Sequence, residues 1–174
     1  LAYAAAAAFS GSMQFALLNL AVAAAAAGFL MHNFHPARIF LGDAGSVPLG
    51  FLAATLGLSG WLQQDWTWWF PLLVFSPFIV DASMTLARRL LAGARVWEAH
   101  RDHYYQRLVL LGFGHRRTAL LEYALMAVCA LTALWGMTLD SASQHLVLGA
   151  ACMIYLVVII AIERAWRART APHA

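Results

Sequence analysis

Residues 1–37 read LAYAAAAAFSGSMQFALLNLAVAAAAAGFLMHNFHPA, from Leu1 to Ala37 without a single Asp, Glu, Lys or Arg. A helix that crosses a bilayer needs about 20 mostly apolar residues, and this stretch exceeds that length. Gly11 and Ser12 interrupt it. We therefore expect the end of one helix or an external loop before them, and a full span over Gln14–Met31. Further apolar windows follow at Ala44–Gln64, Trp66–Ala87 (broken by Asp81), Ala119–Leu139 and Gln144–Ile162. The fold class this predicts is all-α: a polytopic membrane helix bundle of about five transmembrane helices. The whole chain of 174 residues is 63% hydrophobic and 11% charged, whereas soluble domains run at roughly 45–50% and about 25%. A soluble globular domain, a disordered chain, collagen and a coiled coil are all excluded by that balance.

The basic residues are eleven arginines and no lysine. Arg38 lies between the first and second expected spans. Seven more, from Arg88 to Arg117, lie between the third and fourth, and Arg164, Arg167 and Arg169 follow the fifth. With five spans all of these segments fall on one side, and the connections Gln63–Asp65 and Asp140–Ser143 on the other side have none. Positive residues mark the cytoplasmic side, so the net charge of +3 reports topology rather than nucleic-acid binding. Trp61, Trp66, Trp68 and Trp69 cluster at the opposite turn and read as an interfacial aromatic belt, with carbohydrate stacking as the alternative. Cys129 and Cys152 sit in apolar stretches and read as small buried hydrophobes.

Three polar constellations gather at the arginine-rich side. The first is Asn33-Phe34-His35-Pro36-Ala37-Arg38-Ile39-Phe40-Leu41-Gly42-Asp43-Ala44-Gly45-Ser46. Pro36 stops the preceding helix, and the glycines let backbone approach a ligand closely. Asp43 then offers a carboxylate to a hard cation such as Mg²⁺, which binds through one or two carboxylates plus substrate phosphates. The competing reading makes Asp43 a helix N-cap. The second is Asp81, about two turns inside the membrane edge. An acid there is a functional candidate, or else an interfacial partner of Arg88. The third is the basic loop from Glu98 to Arg117. Read as an amphipathic helix, it puts His100, His103, Tyr104 and Arg107 within an arc of about 100°, a face suited to phosphate oxygens. The competing readings are a solvated surface helix or, short of ligands, a zinc site.

The Asn-x-x-Pro-Ala-x-Ile-Phe-x-Gly-Asp-x-Gly-Ser core of Asn33–Ser46 resembles the polyprenyl-phosphate N-acetylhexosamine-1-phosphate transferases, the MraY/WecA-like family of membrane enzymes. Pro77-x-x-x-Asp81 and the histidine-bearing loop follow in the family's order. The string His100-Arg101-x-His103-x-Tyr105-Gln106-Arg107-Leu108 resembles the WbpL-like branch. His103 matches the first histidine of the family's His-x-His-His signature, with Tyr105 and Gln106 at the later positions. The resemblance implies an Mg²⁺-dependent transfer of sugar 1-phosphate from a UDP-N-acetylhexosamine to undecaprenyl phosphate, with release of UMP, initiating an O-antigen or related surface glycan. It implies a bacterial inner-membrane location with the site facing the cytoplasm. By position it matches Asp43 to the family's acidic Mg²⁺-binding residue, and on the enzyme reading Asp43 and His103 are catalytic, Asp43 also the metal ligand, and Asn33, His100, Arg107 and Asp81 substrate-binding. The expected partners are the two substrates and the lipid bilayer, with a homodimer as candidate assembly and no nucleic acid. The family's earlier acidic pair has no counterpart here. The expectation is therefore that residues 1–174 form the C-terminal part of one transferase domain, inactive alone, whose N-terminal half lies upstream of Leu1. The competing function is a non-enzymatic membrane module, a transporter half or a scaffold subunit.

Overall fold

The structure, a computed structural model, describes residues 1–95, 98 and 102–170. Regular structure among them is helical, with no strand. The elements are α1 (Ala2–Phe9), α2 (Met13–Asn33), α3 (Gly42–Leu62), α4 (Trp69–Val74), α5 (Ser76–Leu91), α6 (Tyr104–Leu108), α7 (Gly114–Gly136) and α8 (Ser141–Thr170). A π-helical turn, Val109–Phe113, joins α6 to α7. Four helical stretches are long and apolar enough to cross a membrane: Met13–Asn33, Gly42–Leu62, Tyr104–Gly136 and Ser141–Thr170. Helices close their own backbone hydrogen bonds, as a bilayer demands. The expected all-α polytopic architecture is the one found. Gly11, at φ +87°, makes the break between α1 and α2.

The third expected span, Trp66–Ala87, is not one helix. It divides at Phe75 into α4 and α5. Pro77 is the reason: it has no N–H, and its ring conflicts with the carbonyl four residues back. The amides of Phe78 and Ile79 both turn to the Phe75 carbonyl, at 3.1 Å.

The chain folds as two compact units. One holds residues 1–74 and 130–138. Its core is aromatic. The Trp66 ring stacks on Tyr3 at 4.9 Å and lies 5.3 Å from Phe70, while its Nε1 donates to the Gly57 carbonyl at 3.0 Å. That seat exists because α3 presents glycines there. A Cβ on Gly60 would lie 2.0 Å from Trp66 Cζ2. The belt reading is corrected accordingly: Trp66 and Trp69 are buried, and Trp61 and Trp68 are the exposed pair. An indole finding aromatic and glycine partners within its own unit gains more from packing than from an interface. Asp65 is buried as well, its carboxylate accepting the Ser12 hydroxyl and its carbonyl the Ser10 hydroxyl.

The other unit holds residues 75–129 and those from 139 onward. Here the Ser76 hydroxyl meets Tyr155 Oη at 2.7 Å and Cys129 Sγ at 3.4 Å. Cys129 is buried and Cys152 exposed, both as free thiols. The start of α8 is capped by Asp140, whose Oδ2 accepts the Ala142 and Ser143 amides at 3.0 and 3.2 Å. The small α6 packs in this unit, against α5 and α8.

Candidate functional site

The first constellation is a loop folded back over the end of α2. The Arg38 and Ile39 amides both point to the His32 carbonyl, at 2.8 and 3.4 Å. Asn33 ties the loop shut, its Nδ2 donating to the Ile39 carbonyl at 2.9 Å. The His35–Pro36 bond is cis. Gly42 has φ +59°, a left-handed geometry that suits glycine, and α3 starts there. Asp43 falls in the first turn of α3, while the N-cap residue is Leu41 and no side chain caps the helix. The capping alternative for Asp43 is thus not what forms, and Ser46 does not cap either. Asp43 is exposed, and its carboxylate has no polar side-chain partner among the described residues. The free N–H groups and positive end of a helix favour an acid at this position.

The second constellation lies in the other unit. Asp81, on α5, is an acceptor at its Oδ1 for the Tyr104 amide at 2.8 Å and for the Thr85 hydroxyl at 3.1 Å. The same oxygen is 3.4 Å from His103 Nδ1. His103 is the N-cap of α6, at φ −60° and ψ +148°, and its amide donates to Gln106 Oε1 at 3.3 Å. The continuous helical arc through His100, His103, Tyr104 and Arg107 is therefore corrected: the helix begins at Tyr104, because His103 turns extended to exchange end contacts with Gln106. His100 itself lies outside the described residues. The His103 ring stacks beside Tyr105 at 5.8 Å.

Arg107 is buried. Its Nη1 donates to Glu163 Oε1 at 2.9 Å, and its guanidinium carbon lies 5.0 Å from the Trp166 ring centre. The same Glu163 oxygen accepts Arg88 Nη1 at 2.7 Å and Tyr104 Oη at 3.1 Å. Arg88 thus pairs with Glu163 and the Asp102 carbonyl, not with Asp81. Arg89 reaches the Asp102 carboxylate at 2.6 Å. Asp81, read in the sequence as a separate constellation, lies 3.4 Å from His103 Nδ1, whereas Arg107 turns to Glu163. Glu163 was missed. Its signal was present: one acid, Glu163, stands at the head of the otherwise basic run Arg164–Arg169.

Among the described residues no three His, Cys, Asp or Glu side chains converge as a metal cage. What the first loop offers is one exposed carboxylate. That donor set fits Mg²⁺, which keeps waters and substrate phosphates among its ligands.

Residues 1–60, which contain Asn33 and Asp43, match the glycosyl transferase family 4 model. The chain is 32% identical over 127 residues to a probable undecaprenyl-phosphate N-acetylglucosaminyl 1-phosphate transferase of Bacillus subtilis, covering 71% of this chain and 35% of that protein. It is 30% identical over 158 residues to the decaprenyl-phosphate N-acetylglucosaminephosphotransferase of Mycolicibacterium smegmatis, covering 83% and 39%. A phospho-N-acetylmuramoyl-pentapeptide-transferase of Staphylococcus aureus is 30% identical over 108 residues, covering 62% and 32%. The chain thus spans 32–39% of the length of these relatives. No solved structure matches it significantly. On the motif, the helical membrane architecture and these likenesses together, the chain belongs to glycosyl transferase family 4.

Proposed function

We propose that this chain carries part of the active site of a transferase that moves a hexosamine 1-phosphate from a UDP-N-acetylhexosamine to undecaprenyl phosphate. An oxygen of the lipid phosphate bonds to the β-phosphorus of the donor, the pyrophosphate bond breaks, and UMP leaves. The product would initiate a lipid-linked surface glycan, an O-antigen or a related envelope polymer. The arginine-rich ends would face the cytoplasm, in the bacterial inner membrane.

One observation carries this reading: Asp43 is exposed in the first turn of α3 and caps nothing. An exposed carboxylate that no side chain holds, at the start of the helix following the loop that Asn33 ties, is available to a ligand. Mg²⁺, when bound, supplies neutralisation of the pyrophosphate charge, and Asp43 is the residue that would hold it. His103 would donate to a phosphate oxygen, with its far nitrogen steadied beside Asp81. Asn33 fixes the loop.

The test uses the protein expressed from its own reading frame, in native membranes, with UDP-N-acetylglucosamine and undecaprenyl phosphate. Asp43→Asn keeps the shape and removes the charge. UMP release should fall by roughly 10²-fold or more, the scale of one lost contact to developing charge, with insertion unchanged. Turnover near wild type at limiting Mg²⁺ would refute the assignment.

A further inference from the structure

We infer that Glu163 is the positioning residue of this site: from α8 it holds α6 in place, and so sets where His103 stands. The inference rests on the transferase reading for the role of His103, but not for the role of Glu163 in holding α6.

The helix α6 has five residues. It runs on into the π-helical turn as far as Gly112, whose φ of +107° breaks it from α7, and a helical arm of so few residues does not persist alone, since nucleation fixes several residues for one hydrogen bond. Its neighbours must hold it. At its start Asp81 accepts the Tyr104 amide. Along its body the anchor is Glu163 Oε1, which takes Arg107 Nη1 at 2.9 Å, Tyr104 Oη at 3.1 Å and Arg88 Nη1 at 2.7 Å. Two of these donors belong to α6 and the third to α5, so a single carboxylate oxygen ties three elements. Arg88 extends the tie to the Asp102 carbonyl, immediately before His103. Rings close the assembly: Arg88 and Arg107 lie 5.2 and 5.8 Å from the centre of Tyr104, and Trp166 covers Arg107.

The asymmetry of burial makes Glu163 decisive. The Arg107 side chain is 9% exposed and that of His103 31%. Arg107 is thus turned inward to Glu163 while His103 stays partly exposed. Without the acid, Arg107 would be a buried cation lacking its counter-charge, a state that strongly favours opening of the segment. His103, at the N-cap, would lose its fixed position with it.

The experiment has two arms, both on the protein in native membranes. In the first, trypsin cleavage after Arg107 is timed against cleavage after Arg95, which is exposed. Glu163→Ala should speed cleavage after Arg107 by about 10-fold or more, as expected for losing charged hydrogen bonds, and leave cleavage after Arg95 alone. Glu163→Gln should fall between. Should Glu163→Ala fail to accumulate, Tyr104→Phe removes one of the three donors and should give a smaller rise, about 3-fold. Unchanged cleavage after Arg107 in these variants overturns the inference. In the second arm, Glu163→Gln should raise KM for UDP-N-acetylglucosamine as well as lower kcat, with Glu163→Asp recovering part of both. A purely structural role would lower kcat with the amount of folded protein and leave KM alone, which would overturn the link to His103. If the wild type releases no UMP, the transferase reading falls, while the trypsin arm still decides whether Glu163 holds α6.

Discussion

Asp81 is the residue whose replacement separates a structural duty from membrane insertion. Its side chain is 19% exposed, and its Oδ1 accepts the amide of Tyr104, a residue 8% exposed. Truncation to Ala leaves that amide without its acceptor. A hydrogen bond to a charged group contributes about 1.5–3 kcal/mol. The acid at the start of α6 adds about 0.3–1 kcal/mol through the helix dipole. At about 1.4 kcal/mol per factor of ten, Asp81→Ala should raise the opening of α6 by roughly 20- to 700-fold. Asp81→Asn keeps an oxygen in place and loses only the charge assistance. A charged hydrogen bond is about twice as strong as a neutral one, so the Asn variant should show about a 5-fold effect.

The same substitutions act oppositely on α5. Ala is a better helix former than Asp, and removing a carboxylate from an apolar helix favours insertion. Membrane abundance should therefore hold or rise while α6 loosens. Hydrogen exchange read by mass spectrometry, on membranes solubilised in mild detergent, follows the Tyr104 amide through peptides spanning residues 102–108. Faster exchange there, with the rest of α5 unchanged, is the expected pattern. Exchange at Tyr104 within two-fold of wild type in Asp81→Ala would refute the reasoning, and so would a fall in protection along all of α5.

Two more predictions concern the framework. Gly60→Ala drives a Cβ to 2.0 Å from the buried Trp66 ring, so thermal stability in detergent should fall by about 1–3 kcal/mol, the usual scale of overpacking, whereas Gly149→Ala, with open space around it, should be neutral or slightly stabilising. Asp140 is held below the ordinary carboxylate range, first by the Ser143 hydroxyl and then by backbone amides; its capping of α8 should persist above pH 3.8 and be lost as pH falls through its lowered folded-state value, and Asp140→Ala should abolish that pH dependence in exchange of the Ala142 and Ser143 amides.

The spans were legible because hydropathy is local: Met13–Asn33 and Gly42–Leu62 lie within a few residues of the windows read from charge alone. The break at Phe75 was not, although Pro77 stood in plain view. A hydropathy window counts apolar side chains and is blind to a missing backbone donor. Asp43 was legible as a candidate through its motif. That it is not a cap depends on where α3 begins, which Gly42 at φ +59° decides. Arg107 and Glu163 are 56 residues apart, so a pairing between α6 and α8 leaves no local pattern. Trp66 gave the converse error, for an indole beside a turn looks interfacial until Gly57 and Gly60 are seen to make room for it.

The charge arithmetic of the second unit bears on how anionic substrates would be received. Glu163 takes the guanidiniums of Arg88 and Arg107, and Asp102 that of Arg89. These arginines are each held against a carboxylate, so they act through geometry more than through attraction. The arginines that remain exposed and unpaired with a carboxylate among the described residues are Arg38, Arg116, Arg117, Arg164, Arg167 and Arg169. Exposed cations raise the local concentration of an anionic ligand and fade with salt. Partly buried, hydrogen-bonded pairs fix position and are screened far less. The two tasks thus fall to different arginines. Raising ionic strength from 0.05 to 0.5 M should increase KM for UDP-N-acetylglucosamine, through the exposed set, and leave tryptic cleavage after Arg107 unchanged, because the Glu163 cluster is shielded. If salt opened α6 as strongly as it weakened donor binding, the buried cluster and the exposed arginines would have to be one electrostatic system, and the separation drawn from burial would be wrong.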